Sequence, residues 1–346
     1  MKSCSRYSEI FVDFFSCTLY FSPTLVYKRG IGMTDRILWA TIVIIILSSL
    51  TYGTNASACN YTLTDIVGGS NIEAAEFSYD YKYLAVTHGK FVKIYNTADW
   101  SIHRIIKAHT RSIVDLVFSP RNYTLATTAK DGNIKLWNAD TGVLSKTMNM
   151  SNVNALAFDQ HGYKLATGSD DGRLFTWSVS SGTVDEGFIG LYSADIVAVA
   201  FGRGSQFSPG GTRIIAATSS QIKAWETSYG NVLDTYYGFS ASRKALESSP
   251  DTSVLAVGGA DGALELFDTY TGSSLGEFFG HIGDIKDIAF SPDGTMLATA
   301  SSDKTVKVWE ISSQNLLYTF EGHTSYVYAV AFSENGATLV SGGLDS

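Results

Sequence analysis

Residues Asp284–Glu310 read DIKDIAFSPDGTMLATASSDKTVKVWE. Ile285, Asp287 and Ala289 alternate with Lys286, Ile288 and Phe290, and that period of two predicts a strand. Ser291-Pro292-Asp293-Gly294 is turn chemistry, because proline presets φ at the first central position and glycine tolerates positive φ. Met296–Ala300 predicts a second strand. Ser302-Asp303-Lys304 turns into a third, Thr305–Trp309, and Leu317–Phe320 predicts a fourth. Gly322-His323 then leads into another copy of the pattern.

The copies align on the aromatic residue of the third strand: Tyr95, Trp137, Trp177, Trp225, Phe267 and Trp309. Their spacings are 42, 40, 48, 42 and 42, the long one holding an insertion at Gly202–Phe207. Pro120, Pro209, Pro250 and Pro292 occupy the same turn. A period near 40 predicts a propeller or solenoid, and four short antiparallel strands per period favour the propeller. Six repeats are complete. A seventh begins at Tyr326–Phe332, continues through Leu339–Asp345 and stops before its third strand. The expected fold is thus all-β, a seven-bladed β-propeller over 74–346 with its last blade incomplete, in a natural chain that continues past Ser346. Tyr61–Ile66, in a linker over 59–73, is the candidate ring-closing strand. In a chain cut short at Ser346 the exposed edge at Thr338–Gly342 is an aggregation hazard.

These motifs resemble the WD-repeat β-propeller family over about residues 74 to 346. The resemblance rests on Gly280-His281, Gly322-His323 and the weaker Ala108-His109, with Trp137-Asn138, Trp309-Glu310 and Phe267-Asp268 at the ends of the third strands. It implies a hydrogen-bonded tetrad in a well-formed blade. In the second repeat the tetrad is His109, Thr127, Asp131 and Trp137, and in the sixth it is His281, Thr299, Asp303 and Trp309. A His–Asp–Thr set could suggest a catalytic triad, but recurrence once per blade points to structure. The third repeat has no His, the fifth has Phe267 and the first has Tyr95 and no Asp, so packing is expected to hold those blades.

The N-terminus is of another kind. Arg36 precedes Ile37–Leu50, ILWATIVIIILSSL, and Ala56-Ser57-Ala58-Cys59 follows. A basic residue, an uncharged apolar run of 14 and a small-x-small site predict a secretory signal over 33–58. An uncleaved single-pass anchor helix through residues 37–50 is the alternative, although the run is short for a span. Cys59 resembles a bacterial lipoprotein acceptor, apart from Ala56 where a larger aliphatic residue is usual. Residues 1–32 read as a mis-called upstream extension, with Met33 as the true start. A leader on a stand-alone propeller resembles bacterial secreted WD-repeat proteins, and the expected location is secreted or cell-envelope.

The net charge of −8 tells against phosphate neutralisation, so no nucleic-acid partner is expected. Residues 1–58 hold five basic and three acidic residues, which leaves 20 basic against 30 acidic, or −10, in the rest. The repeats hold no cysteine, and the three present, Cys4, Cys17 and Cys59, all precede them. Sequons stand at Asn55, Asn60, Asn122 and Asn149. No phosphate loop, zinc-ligand spacing or complete calcium loop occurs, so neither catalysis nor a cofactor is expected.

Function is therefore expected on the surface, as a scaffold for protein or peptide partners. The resemblance points to the face that carries the loops entering each inner strand: Arg111, Lys130, Asp170, Asp284, Ser302 and Tyr326. Two alternatives remain open. One is a small-ligand or metal site, even a hydrolytic one, in the central channel, where Asp115, Asp195 and Asp287 are the polar inner-strand residues. The other is a regulatory domain of a longer chain.

Overall fold

A computed structural model describes residues 40–48, 60–68, 72–188, 194–205, 208–227, 230–236 and 242–345. Every regular element among them is a β-strand.

Six blades are four-stranded antiparallel sheets built from consecutive strands. In blade 6 the strands are Ile285–Phe290, Met296–Ser301, Val306–Glu310 and Leu316–Phe320, running from the inner edge of the ring outward. Its first turn closes as the sequence predicts. Gly294 N–H donates to Ser291 O at 2.8 Å, and Gly294 takes a φ of 68°. The Ser291 hydroxyl accepts from Met296 N–H at 2.9 Å and donates to Asp293 at 2.6 Å. The inner strands of blades 1 to 5 are Ala75–Phe77, Ile113–Phe118, Val153–Phe158, Ile196–Ser205 and Arg243–Ser248.

The core lies between blades rather than within them. Ala256, Leu264, Leu266 and Phe278 of blade 5 pack against Ile285, Ile288, Leu297 and Trp309 of blade 6. Trp309 is 1% exposed, and burying one such side chain is worth about 1.5–3 kcal/mol. The same arrangement recurs around the ring. It includes a cluster in which Ala329, Ala331 and Val340 meet Ile72, Phe77, Leu84 and Tyr95 of blade 1. The inner strands touch in circular order, with Val327–Phe332 beside Ala75–Phe77.

The last repeat departs from expectation. Its strands Val327–Phe332 and Thr338–Gly343 belong to a sheet of four, completed from the N-terminal side of the chain. Ala40–Ser48 pairs antiparallel with Thr338–Gly343, with Ile44 opposite Val340 and Ile42 opposite Gly342. Asn60–Gly68 adds the outer strand, with Ile44 opposite Thr64. Two observations bear on the N-terminal expectations. The strand beside Thr338–Gly343 is not Tyr61–Ile66, which lies one place further out. The apolar run expected as a signal or anchor helix supplies a strand over Ala40–Ser48. The reason is compositional: Ile42, Val43, Ile44, Ile45 and Ile46 are a β-branched run that suits a buried strand as well as a membrane segment. No helix among the described residues is long and apolar enough to cross a membrane. The expected extension over 1–32 lies outside the described residues, as do parts of 33–58.

Blade 4 carries the insertion. It lengthens a hairpin, Ile196–Ser205 with Ser208–Thr218, whose pairing runs out to Ser205 opposite Ser208.

Candidate functional site

In blade 2, His109 Nδ1 lies 3.0 Å from Asp131 Oδ1 and His109 Nε2 lies 2.8 Å from Thr127 Oγ1. Trp137 Nε1–H donates to the same hydroxyl oxygen at 3.1 Å. Blade 6 repeats this arrangement with His281–Asp303 at 2.7 Å, His281–Thr299 at 2.7 Å and Trp309–Thr299 at 3.0 Å.

Proton positions follow from the charges. Burial pushes Asp131 upward, but the Thr110 N–H bond at 2.9 Å and the His109 partner outweigh it and bring the carboxyl down to about 2. Asp303 is likewise held below the usual range, where burial is outweighed by its bonds from His281 and Thr305. Asp131 is therefore an acceptor only, and His109 Nδ1 carries the proton that meets it. Burial lowers the pKa of His109 and keeps it neutral, so its Nε2 accepts from the Thr127 hydroxyl. Each donor is matched to one acceptor. Thr127 is 0% exposed and His109 2%, so no substrate reaches this hydroxyl.

The remaining blades show how far the network can be reduced. His323 bonds Asp345 and Ser341, each at 2.9 Å. In blade 3 the Thr167 hydroxyl accepts from Trp177 Nε1 at 2.9 Å and donates to Met150 Sδ at 3.3 Å, so a thioether sits where blades 2 and 6 use imidazole. Polar pairing as well as packing therefore holds this blade. In blade 5, Phe267 meets Tyr236 edge-on at 5.6 Å.

In blades 2, 3 and 6 and in the last repeat the loop face is assembled by a backbone bond between the loop entering the inner strand and the turn after the second strand. Lys130 N–H donates to Ser112 O at 3.0 Å, Asp170 to Asn152 at 3.0 Å, Ser302 to Asp284 at 2.9 Å and Leu344 to Tyr326 at 3.0 Å. Arg111, Lys130, Asp170, Asp284, Ser302 and Tyr326 therefore share one end of the ring. Arg111 and Lys130 are exposed, while Asp170, Asp284 and Ser302 are half-buried. Asp284 is paired with Lys286 at 2.8 Å. The sequence reading named Tyr326 on this face but missed its apolar neighbours Phe279 and Ile282. Ile282 is 92% exposed, Phe279 is 70% exposed and Tyr326 is 46% exposed. Their signal was present, since Ile282 follows the tetrad His281 where blade 2 has Thr110 and the last repeat has Thr324.

The channel is lined by acids. Inner strands are edge strands, and the carboxylates satisfy their free N–H groups. Asp115 accepts from Leu116 N–H and from Leu156 N–H of the next blade, both at 2.8 Å. Asp287 does the same with Ile288 at 2.9 Å and Val330 at 2.8 Å. Glu76 accepts from Phe118 N–H at 2.6 Å. Asp195 is not among them, because it lies exposed ahead of Ile196. Burial raises Asp115 and Asp287 to about 7, and it raises Glu76 well above the ordinary value. Glu247 rises to about 8 through burial and then the charges of Asp287 and Asp115. Glu247 is surrounded by protein yet accessible to channel water, which screens part of its rise, so the aspartates and Glu76 carry more of the effect. Glu76 and Glu247 escaped sequence reading because their inner strands depart from the Ala-Phe-Ser-Pro pattern. Among the described residues, no three His, Cys, Asp or Glu are placed to hold a metal ion.

Radial four-stranded sheets with buried polar networks and a loop-bearing face define a β-propeller of the repeat-built class. The family model described as WD domain, G-beta repeat matches residues 100–138, 142–178, 272–310 and 314–346. Each match starts on the outer strand of one blade and runs into the next, so the sequence repeat bridges two blades. No curated protein matches the chain.

Proposed function

We propose that this propeller is a non-enzymatic interaction platform whose loop face binds a protein or peptide partner. The observation that carries the reading is the exposure of Ile282, Phe279 and Tyr326 on the face that the backbone bonds gather. Large apolar side chains among polar neighbours are the usual anchors of a protein interface. Arg111 and Lys130 supply cationic contacts at the other side of the ring. Quantitative capture from native extract tests this, comparing wild type with the Ile282→Asp/Tyr326→Ala double variant. The specific set of captured proteins is expected to be lost with the double variant. Capture unchanged by the double variant contradicts the loop-face assignment.

The platform reading includes a location outside the cytoplasm, supported by the run at 37–50 and the small-x-small site before Cys59, with a tether through residues 37–50 or a lipid on Cys59. A second reading keeps residues 33–58 within a closed seven-bladed ring, and the ladder between Ala40–Ser48 and Thr338–Gly343 favours it. Intact mass and N-terminal sequencing of the native protein separate the two. A chain starting at Cys59 supports export, while one retaining 40–48 without membrane association supports the closed ring.

A further inference from the structure

The face opposite the loop face carries the turns joining first to second and third to fourth strands. Between blades 2 and 3 these turns enclose a recess of about 540 Å³, lined by Arg121, His161, Tyr163, Lys164, Ser178 and Ser180 among others. We propose that this recess binds a glutamate or aspartate side chain of an acidic peptide segment, with Arg121 as the anchoring cation and Tyr163 as the apolar floor.

The repeat provides its own comparison. The third residue of the first turn is Asp80 in blade 1, Asp251 in blade 5 and Asp293 in blade 6. In blades 5 and 6 a hydroxyl two residues on caps that carboxylate, Ser253 at 2.7 Å and Thr295 at 2.8 Å. Asp80 instead accepts from Tyr123 of blade 2 at 2.6 Å. The next junction keeps the tyrosine and reverses the charge. Arg121 holds the position of Asp80, and its Nη1 donates to Tyr163 Oη of blade 3 at 2.9 Å. The guanidinium lies 5.3 Å from the Tyr163 ring centre. His161 holds the equivalent place in blade 3 and lies 6.1 Å from the same ring.

Arg121 is thereby fixed in place while its charge stays uncompensated. One of its five N–H donors is used, and it has no ion-pair partner among the described residues. The acid at the recess, Asp185, is taken by Lys164 at 2.6 Å. Tyr163 is 64% exposed, an apolar surface beside a planar cation with free donors. That pairing suits a carboxylate, which accepts two parallel N–H bonds, flanked by an apolar side chain. On a chain of net charge −8, an acidic partner is repelled elsewhere, so the local reversal sets its register.

The test uses the full chain and a fluorescein-labelled peptide, Glu-Glu-Leu-Glu-Glu, read by anisotropy, with Gln-Gln-Leu-Gln-Gln as its neutral counterpart. The Glu peptide is expected to bind at least about tenfold more tightly than the Gln peptide, and Arg121→Ala to weaken it by about tenfold or more. Arg121→Asp, which restores the residue of blades 1, 5 and 6, is expected to abolish binding. Tyr163→Ala is expected to weaken it without changing the preference for Glu. Circular dichroism confirms that these surface variants fold. Equal binding of the two peptides, no binding of either, or indifference to Arg121→Ala overturns the proposal. Binding of inorganic phosphate at Arg121 without binding of the Glu peptide overturns the peptide assignment. None of these outcomes depends on the loop face.

Discussion

Thr299 holds two buried polar groups at once, the indole N–H of Trp309 and the Nε2 of His281. Thr299→Val leaves both without partners, and each unpaired buried group costs about 1–3 kcal/mol. Thr167→Val orphans only the Trp177 N–H, since Met150 tolerates the loss. Urea unfolding is expected to show Thr299→Val as the more destabilising of the two by about 1–2 kcal/mol. The channel acids give a pH prediction of definite sign. Their folded pKa values, about 7 for Asp115 and Asp287, stand above the ordinary 3.8. The folded state thus holds their protons more tightly. The stability they contribute is complete below about pH 4 and lost as pH rises through about 7 to 8. His109, with its pKa lowered, works the other way below its ordinary 6.5, but it is one group against several. The urea midpoint is expected to be higher at pH 5 than at pH 8, and Glu247→Gln to narrow the gap. A midpoint that rises steadily from pH 5 to pH 8 contradicts this assignment. The tetrad members were legible because they recur at a fixed offset from the third-strand tryptophan. The uncompensated charge of Arg121 was not, since it depends on a tyrosine 42 residues away.

Strand boundaries in blade 6 were readable almost to the residue, because period-two alternation and turn chemistry agree there. What sequence did not show is how closely blades approach. The fifth residue of the second strand is Gly168, Gly258 or Gly342 in three blades. A Cβ at Gly258 would lie 2.6 Å from Cγ2 of Ile285, which opens the inner strand of the next blade. A Cβ at Gly168 would clash with Ile196 in the same way, and one at Gly342 would lie 2.6 Å from Cγ2 of Ile72. These glycines allow close packing between blades. Gly258→Val is expected to overpack the junction at a cost of about 1–3 kcal/mol, read from the thermal or urea midpoint. An unchanged midpoint would mean the junction is looser than the contacts show.

The ring as a whole depends on both ends of the described chain. Sequence reading assigned Ile37–Leu50 to the membrane or the translocon because an apolar β-branched run satisfies either environment. Sequence did not show the strand partner that competes for it, 300 residues away at Gly342 opposite Ile42 and along the same ladder. The contact between Gly342 and Ile72, together with the cluster joining Val340 to Leu84, places the last sheet against the first blade. A platform that presents a fixed face needs this closure. The direct measurement is a cross-link in the full chain produced without export, in a background free of Cys4, Cys17 and Cys59. Directly opposed antiparallel residues lie within the Cα range a disulfide spans. Ile44→Cys with Val340→Cys is expected to oxidise to a disulfide found by mass spectrometry, while Ile46→Cys with Val340→Cys is not. Absence of the first cross-link in folded protein, or equal yield from both pairs, would contradict the closed ring.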